Sequence, residues 1–179
     1  MLQDIEKILF NESQLDEKVK ELGNQITNDY NNKDLIVIGI LKGSNIFMSD
    51  LVREINLPLQ IDFMDVSSYG NATESTGVVR IIKDLECAID GKDILIVEDI
   101  IDSGLTLKYL KDMLLSRNPK SIKICTLLDK PTRRKEKVVI DYLGFEVPDE
   151  FIVGYGIDYA ERYRNLPVVA VLKRSVYEK

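Results

Sequence analysis

Ile94-Leu-Ile-Val-Glu-Asp-Ile-Ile-Asp-Ser-Gly-Leu-Thr-Leu107 carries more of the fold's logic than any other part of the chain. Its first four residues are apolar and mostly β-branched, which predicts a short buried strand over 94–97. Two adjacent carboxylates, Glu98 and Asp99, sit where that strand is expected to end. A small-residue loop follows, with Asp102, Ser103, Gly104 and Thr106 around Leu105, and then the helical spacing Leu107, Leu110, Leu114. In an open parallel sheet, ligands bind beyond the carboxyl ends of the strands. A small-residue turn at a helix start offers free backbone N–H groups and the positive end of the helix dipole, which suits a phosphate. The loop therefore predicts a phosphate cradle. The acidic pair predicts a partner for ribose hydroxyls or a magnesium ion, because two acids beside one phosphate repel it unless a metal or hydroxyl lies between.

Outward from this stretch, strand-like and helix-like patterns alternate. Leu15, Val19, Leu22 and Ile26 share one face of a helix over 13–30, with Ser13 as its expected N-cap. Leu35 to Leu41 is a continuous apolar run and predicts a second buried strand. Helix over 45–55, strand over 59–66, strand over 78–82, helix over 105–116 and strand over 121–128 complete the pattern, with Pro58 as a breaker. This order specifies an α/β fold with a central parallel twisted sheet flanked by helices. Residues 67–77 are rich in Ser, Thr, Gly and Asn with little to bury, and read as an exposed loop. The final third changes character, with short strands over 138–147, 151–153 and 168–172 and little helix between them.

At 179 residues the chain is read as one domain, 1–179. Its composition, 45% hydrophobic and 30% charged, is that of an ordinary soluble domain. No apolar run approaches the roughly 18 to 20 residues of a membrane span, and no secretory leader is visible. Two cysteines, Cys87 and Cys125, make neither a disulfide framework nor a zinc spacing, so a reduced, cytoplasmic location is expected. The net charge of −6 argues against a nucleic-acid partner. The basic run Lys130-Pro-Thr-Arg-Arg-Lys135 is read as a solvated loop from Arg133 onward. Histidine is absent, so acid-base chemistry falls to carboxylates, Lys, Tyr or Cys. There is no Walker A pattern, which makes an NTPase improbable.

Four motifs in order give the chain a closer likeness. They are Gly39-Ile-Leu-Lys-Gly43, Ser67-Ser-Tyr-Gly70 with Ser75-Thr-Gly77, the acidic run above, and Val147-Pro-Asp-Glu-Phe-Ile-Val-Gly-Tyr-Gly-Ile-Asp-Tyr159 followed by Tyr163-Arg-Asn-Leu-Pro167. Over about 35–172 the sequence resembles the type I phosphoribosyltransferases, and among them those that salvage 6-oxopurines. The resemblance implies a core over about 12–130 and a small hood, formed mainly by about 131–179 together with N-terminal residues, over the carboxyl edge of the sheet. It implies transfer of the 5-phosphoribosyl group from phosphoribosyl diphosphate to N9 of hypoxanthine or guanine, with Mg2+ as cofactor. A homodimer or homotetramer and no membrane partner are expected.

The same resemblance assigns roles. Asp102, which alone reads as a helix cap, is implied to handle the proton at purine N7. Lys42, Gly43, Ser68, Tyr69, Ser103, Gly104, Leu105, Thr106 and Arg164 are implied to bind phosphoribosyl diphosphate, with Ser68 and Tyr69 on a lid. Glu98, Asp99 and Asp158 are implied around the metal, the first two also on the ribose hydroxyls. Lys130, Phe151, Ile152 and Asp158 are implied around the purine. Lys130 meets O6, Phe151 stacks on the base and the Ile152 backbone faces its Watson–Crick edge. A lone Phe in Phe-Ile-Val otherwise reads as core. Two alternatives stay open, an RNA-binding attenuator on the same fold and a related enzyme using xanthine or a pyrimidine.

Overall fold

The computed structural model describes residues 1–68 and 79–178. The backbone of Ser68 ends a strand. Its side chain, Tyr69 and the expected lid lie outside the described residues.

In chain order the elements are β1 (Ile5–Phe10), α1 (Glu12–Asp29), β2 (Leu35–Leu41), α2 (Asn45–Glu54), β3 (Leu59–Ser68), β4 (Val79–Lys83), β5 (Asp93–Ile101), α3 (Leu105–Leu115), β6 (Ser121–Asp129), β7 (Tyr142–Glu146), β8 (Ile152–Val153), β9 (Val169–Leu172) and α4 (Arg174–Tyr177). Six strands form one sheet in the order β4-β3-β2-β5-β6-β7. Its pairings are parallel except at the β3–β4 edge. A second, antiparallel sheet joins β1, β9 and β8.

The uninterrupted apolar runs of β2 and β5 have a simple cause: both faces of the large sheet are covered. Leu35, Val37, Leu95 and Val97 point toward α1 and α2 and pack with Leu15, Leu22 and Phe47. Ile36, Ile38, Ile94 and Ile96 point the other way, onto Leu107, Leu110 and Leu114 of α3. Residues i and i+2 of one strand thus serve one layer. β2 and β5 lie in the middle of the sheet, and their carboxyl ends carry Lys42-Gly43 and the acidic pair.

Four sequence expectations need correction. Asn11, not Ser13, caps α1, in a capping box with Gln14 whose two hydrogen bonds are each 3.0 Å. β5 does not stop before Glu98 but runs to Ile101, because pairing with β6 continues through Glu98↔Thr126 and Ile100↔Leu128. The strand expected over 138–147 is shorter, Tyr142–Glu146, and closes the large sheet against β6 instead of joining the small one. β1, a stretch read without a strand, completes the small sheet from the other end of the chain.

Candidate active site

The turn after β5 is built as the sequence predicts. Gly104 holds φ +80° at the N-cap of α3 and has no side chain to cap the helix, although Leu105 N donates to Ser103 Oγ at 3.4 Å. A Cβ at Gly104 would lie 2.9 Å from the Glu136 carbonyl oxygen and 3.2 Å from the Arg134 side chain, so a larger residue has no room. The loop is braced from behind: Lys135 N and Glu136 N both donate to Ser103 O, at 2.9 and 3.0 Å. A depression of about 130 Å³ opens here, walled by Glu98, Asp102, Ser103, Gly104 and Thr106.

Beside it lies a larger cleft of about 430 Å³ between the sheet edge and the small sheet. Ile100 and Asp102 wall both spaces, so the two are neighbours. Lys130, Phe151, Ile152 and Asp158 line the cleft. Lys130 is 7% exposed, and its ammonium donates to the Glu150 carbonyl oxygen at 2.7 Å. Burial lowers its pKa, while the charges of Asp102 and Asp149 act the other way. Phe151 is the exposed aromatic of this wall, at 36%. Its ring stacks on Tyr177, 4.6 Å between centroids and 27° between planes, and meets Tyr159 in a T-shaped contact at 5.3 Å.

Two cations meet carboxylates at the rim. Arg164 donates to Gly156 O at 2.9 Å and pairs with Asp158 at 2.9 Å, while its Nε is buried without a partner. Lys42, after a cis Leu41-Lys42 peptide, forms an exposed pair with Glu161 at 3.1 Å. Gly43 is required by its neighbour, since a Cβ there would run into the Asp99 carboxylate. Asp102 Oδ1 is enclosed and accepts no hydrogen bond, although Arg133 Nε lies 3.3 Å away.

Glu98 and Asp99 are electrostatically uncomfortable. Burial pushes the Glu98 carboxyl well above the usual carboxylate range, and the Asp99 charge adds to it. Burial also raises Asp99, to about 6, although the Ile100 N–H and the Arg164 charge stabilise its ionised form. Hard oxygen donors carrying uncompensated charge fit a magnesium ion. Among the described residues, no three acidic, Cys or His side chains are close enough to enclose a metal unaided. A magnesium ion here would therefore need further oxygens from the ligand.

This sequence of cradle, acidic strand end and hooded cleft has a counterpart among known proteins. The phosphoribosyl transferase domain family matches residues 7–160. The chain belongs to that family. A hypoxanthine-guanine phosphoribosyltransferase of Bacillus subtilis (strain 168) is 58% identical over 178 residues, covering 99% of each chain. The bifunctional protein TilS/HprT of Listeria monocytogenes is 52% identical across all of this chain, which spans 28% of that longer protein. The crystal structure of a hypoxanthine phosphoribosyltransferase from Staphylococcus aureus superposes with a TM-score of 0.98 at 53% identity, covering 100% of this chain and 97% of that one.

Within this phosphoribosyl transferase, the structure adds residues that sequence reasoning passed over. The basic run after Lys130 is not simply solvated. Arg134 is largely enclosed and pairs with Asp129, and Arg133 spans Asp102 and Asp149 across the mouth of the cleft. Tyr177, in a polar C-terminal segment, gave no signal beyond being aromatic. Among the described site residues, Lys130, Phe151, Ile152, Asp158 and Asp102 share one cleft, and Ser103, Gly104 and Thr106 share the adjoining depression with Asp102 and Glu98.

Proposed function

We propose that this phosphoribosyl transferase moves the 5-phosphoribosyl group of phosphoribosyl diphosphate to N9 of hypoxanthine or guanine, giving IMP or GMP and pyrophosphate. The observation that carries the reading is the buried Lys130 ammonium in a cleft that shares Ile100 and Asp102 with the depression at the α3 N-terminus. One space suits a base bearing a carbonyl oxygen and the other a phosphate. The names of the full-length relatives agree with it.

The chain's own residues then do electrostatic work. The amides of the Asp102–Thr106 turn take the 5′-phosphate. Glu98 and Asp99 hold the ribose hydroxyls and lie where positive charge develops on the ribose. The C1′–oxygen bond breaks, and its electron pair leaves with pyrophosphate toward Arg164 and the Lys42-Gly43 backbone. The N9 lone pair forms the new bond to C1′, and Asp102, whose Oδ1 has no hydrogen bond of its own, takes the proton from N7. Lys130 donates to O6 and Phe151 stacks on the base. Magnesium, held by Glu98, Asp99 or Asp158 with oxygens of the substrate, neutralises the diphosphate's charge when bound. Preorganised charge of this kind commonly supplies the largest share of rate enhancement. Ser68 and Tyr69 belong to the same reading as the closing lid, and assembly into dimers or tetramers in the cytoplasm goes with it.

Calorimetry with the products tests the reading without turnover. IMP and GMP should bind one per chain, and UMP at least tenfold more weakly. Equal binding of UMP would contradict it.

A further inference from the structure

We propose that Tyr177 is a positioning residue for the purine. It backs the ring of Phe151, and with Tyr159 forms an aromatic bracket that holds the base platform in plane. The inference rests on the reading above, in which Phe151 meets the base.

The backbone makes the contact a built one. Phe151 immediately precedes β8, whose residues pair with β9, and Leu172 N at the end of β9 donates to the Phe151 carbonyl oxygen at 2.8 Å. One turn later the chain has folded back far enough to set Tyr177 on the Phe151 ring. That turn is tied down from the other end of the molecule. Lys173 N donates to Asp4 O at 2.9 Å, and its ammonium donates to Gln3 O at 2.6 Å. Val176 and Tyr177 pack with Ile5 and Tyr159 on the small sheet's own apolar cluster. The C-terminal segment is therefore a docked element of the hood.

The geometry of the three rings separates positioning from mere filling. Phe151 and Tyr177 are near parallel at 4.6 Å, whereas Tyr159 meets Phe151 at 90° and Tyr177 at 65°. Phe151 thus meets one tyrosine in a stacked contact and the other in a T-shaped one, and displacing its ring gives up one contact or the other. Yet Phe151 remains 36% exposed and lines the cleft, so it still has surface to offer a ligand. Aromatic pairs of this kind contribute beyond their buried area. An exposed ring without such support would have to be ordered by each incoming base, and immobilising one side chain carries a measurable affinity cost.

The cost expected on removing Tyr177 is about 2- to 12-fold in affinity, the range for ordering one side chain at tenfold per 1.4 kcal/mol. It should fall on the base alone. In steady-state kinetics, Tyr177→Ala should raise KM for hypoxanthine by that factor. kcat should stay within twofold and KM for phosphoribosyl diphosphate should be unchanged. Tyr177→Phe keeps the ring and should match the wild type. Tyr177→Leu keeps apolar volume without a π face, so it carries the comparison where the alanine variant melts early, and should resemble alanine. An unchanged KM for the base in the alanine and leucine variants would overturn the bracket. So would a lowered KM, which would mean that Tyr177 sits in the base's place. A wild-type protein that turns over no purine would overturn the functional reading and the bracket with it, whereas an active wild type with indifferent variants overturns the bracket alone.

Discussion

Asp102 stands where the cradle meets the cleft and does not cap α3, and a single substitution separates a proton-handling role from that of a counter-charge to Arg133. Asp102→Asn keeps shape and most hydrogen-bonding capacity but cannot take a proton. It should lower kcat by about 10²- to 10⁴-fold, the usual contribution of a general acid-base group, with little change in KM for phosphoribosyl diphosphate. A wild-type rate would leave Asp102 as the partner of Arg133 alone. Lys130 makes a second residue-scale prediction. Its ammonium only donates, so adenine's amino group offers it no acceptor where a 6-oxopurine offers O6, and a hydrogen bond to a charged group is worth about 1.5 to 3 kcal/mol. Lys130→Gln offers an acceptor as well and should narrow the ratio of kcat/KM for hypoxanthine over adenine. Both proposed roles came from the motifs that carry the family resemblance, since on its own Asp102 reads as a helix cap and Lys130 as the start of a basic loop. The ion pairs of Arg133 and Arg134 were not legible. A run of like charges reads as solvated unless its partners are known, and Asp129 and Asp102 become partners of this run only once the chain is folded.

Elements place these residues, and their constraints make predictions of their own. Gly104 adopts φ +80°, a conformation that costs an L-residue roughly 1–2 kcal/mol. Gly104→Ala should lose at least about that much stability in thermal or urea melts and raise KM for phosphoribosyl diphosphate more than KM for the base. Unchanged diphosphate affinity would separate this turn from the phosphate. On β3, Asp62 is 6% exposed and accepts from the N–H groups of Phe63, Glu86 and Cys87 at 2.7, 2.8 and 3.1 Å. Burial alone would raise its pKa, but these donors win and hold it down at about 2. The folded state thus binds fewer protons than the unfolded one between about pH 4 and pH 2. The resulting stability, on the order of 2 kcal/mol, is complete above pH 4 and lost as pH falls through that window. Asp62→Asn should flatten this part of the stability profile, and an undiminished acid slope would contradict the assignment. The central strands were legible as elements because they are buried on both faces. The end of β5 was not, since Glu98 and Asp99 interrupt the apolar run while pairing with β6 continues beneath them. β1 left no clean alternation because its pairing with β9 is irregular and only part of it is covered.

At the scale of the whole molecule, a chain of net charge −6 must bring a heavily charged diphosphate against its own acidic strand end. Burial already raises Asp99, so the ligand's charge cannot be met there by the protein alone, and turnover should stop when divalent cations are chelated. The cleft proposed for the base lies between the large sheet and a small sheet whose strands come from opposite ends of the sequence. The four motifs in order implied the hood, but the contribution of residues 5–10 came from a pairing that no local pattern announces. The central claim is that this cleft takes a 6-oxopurine and joins it to phosphoribose. Pyrophosphate release from phosphoribosyl diphosphate and Mg2+ with hypoxanthine, guanine, xanthine, adenine and uracil tests it most directly. Release should be fast with hypoxanthine or guanine, at least about tenfold slower with adenine, absent with uracil, and abolished throughout by excess EDTA. Release with uracil or adenine in preference to the oxopurines, or a full rate in EDTA, would contradict the account.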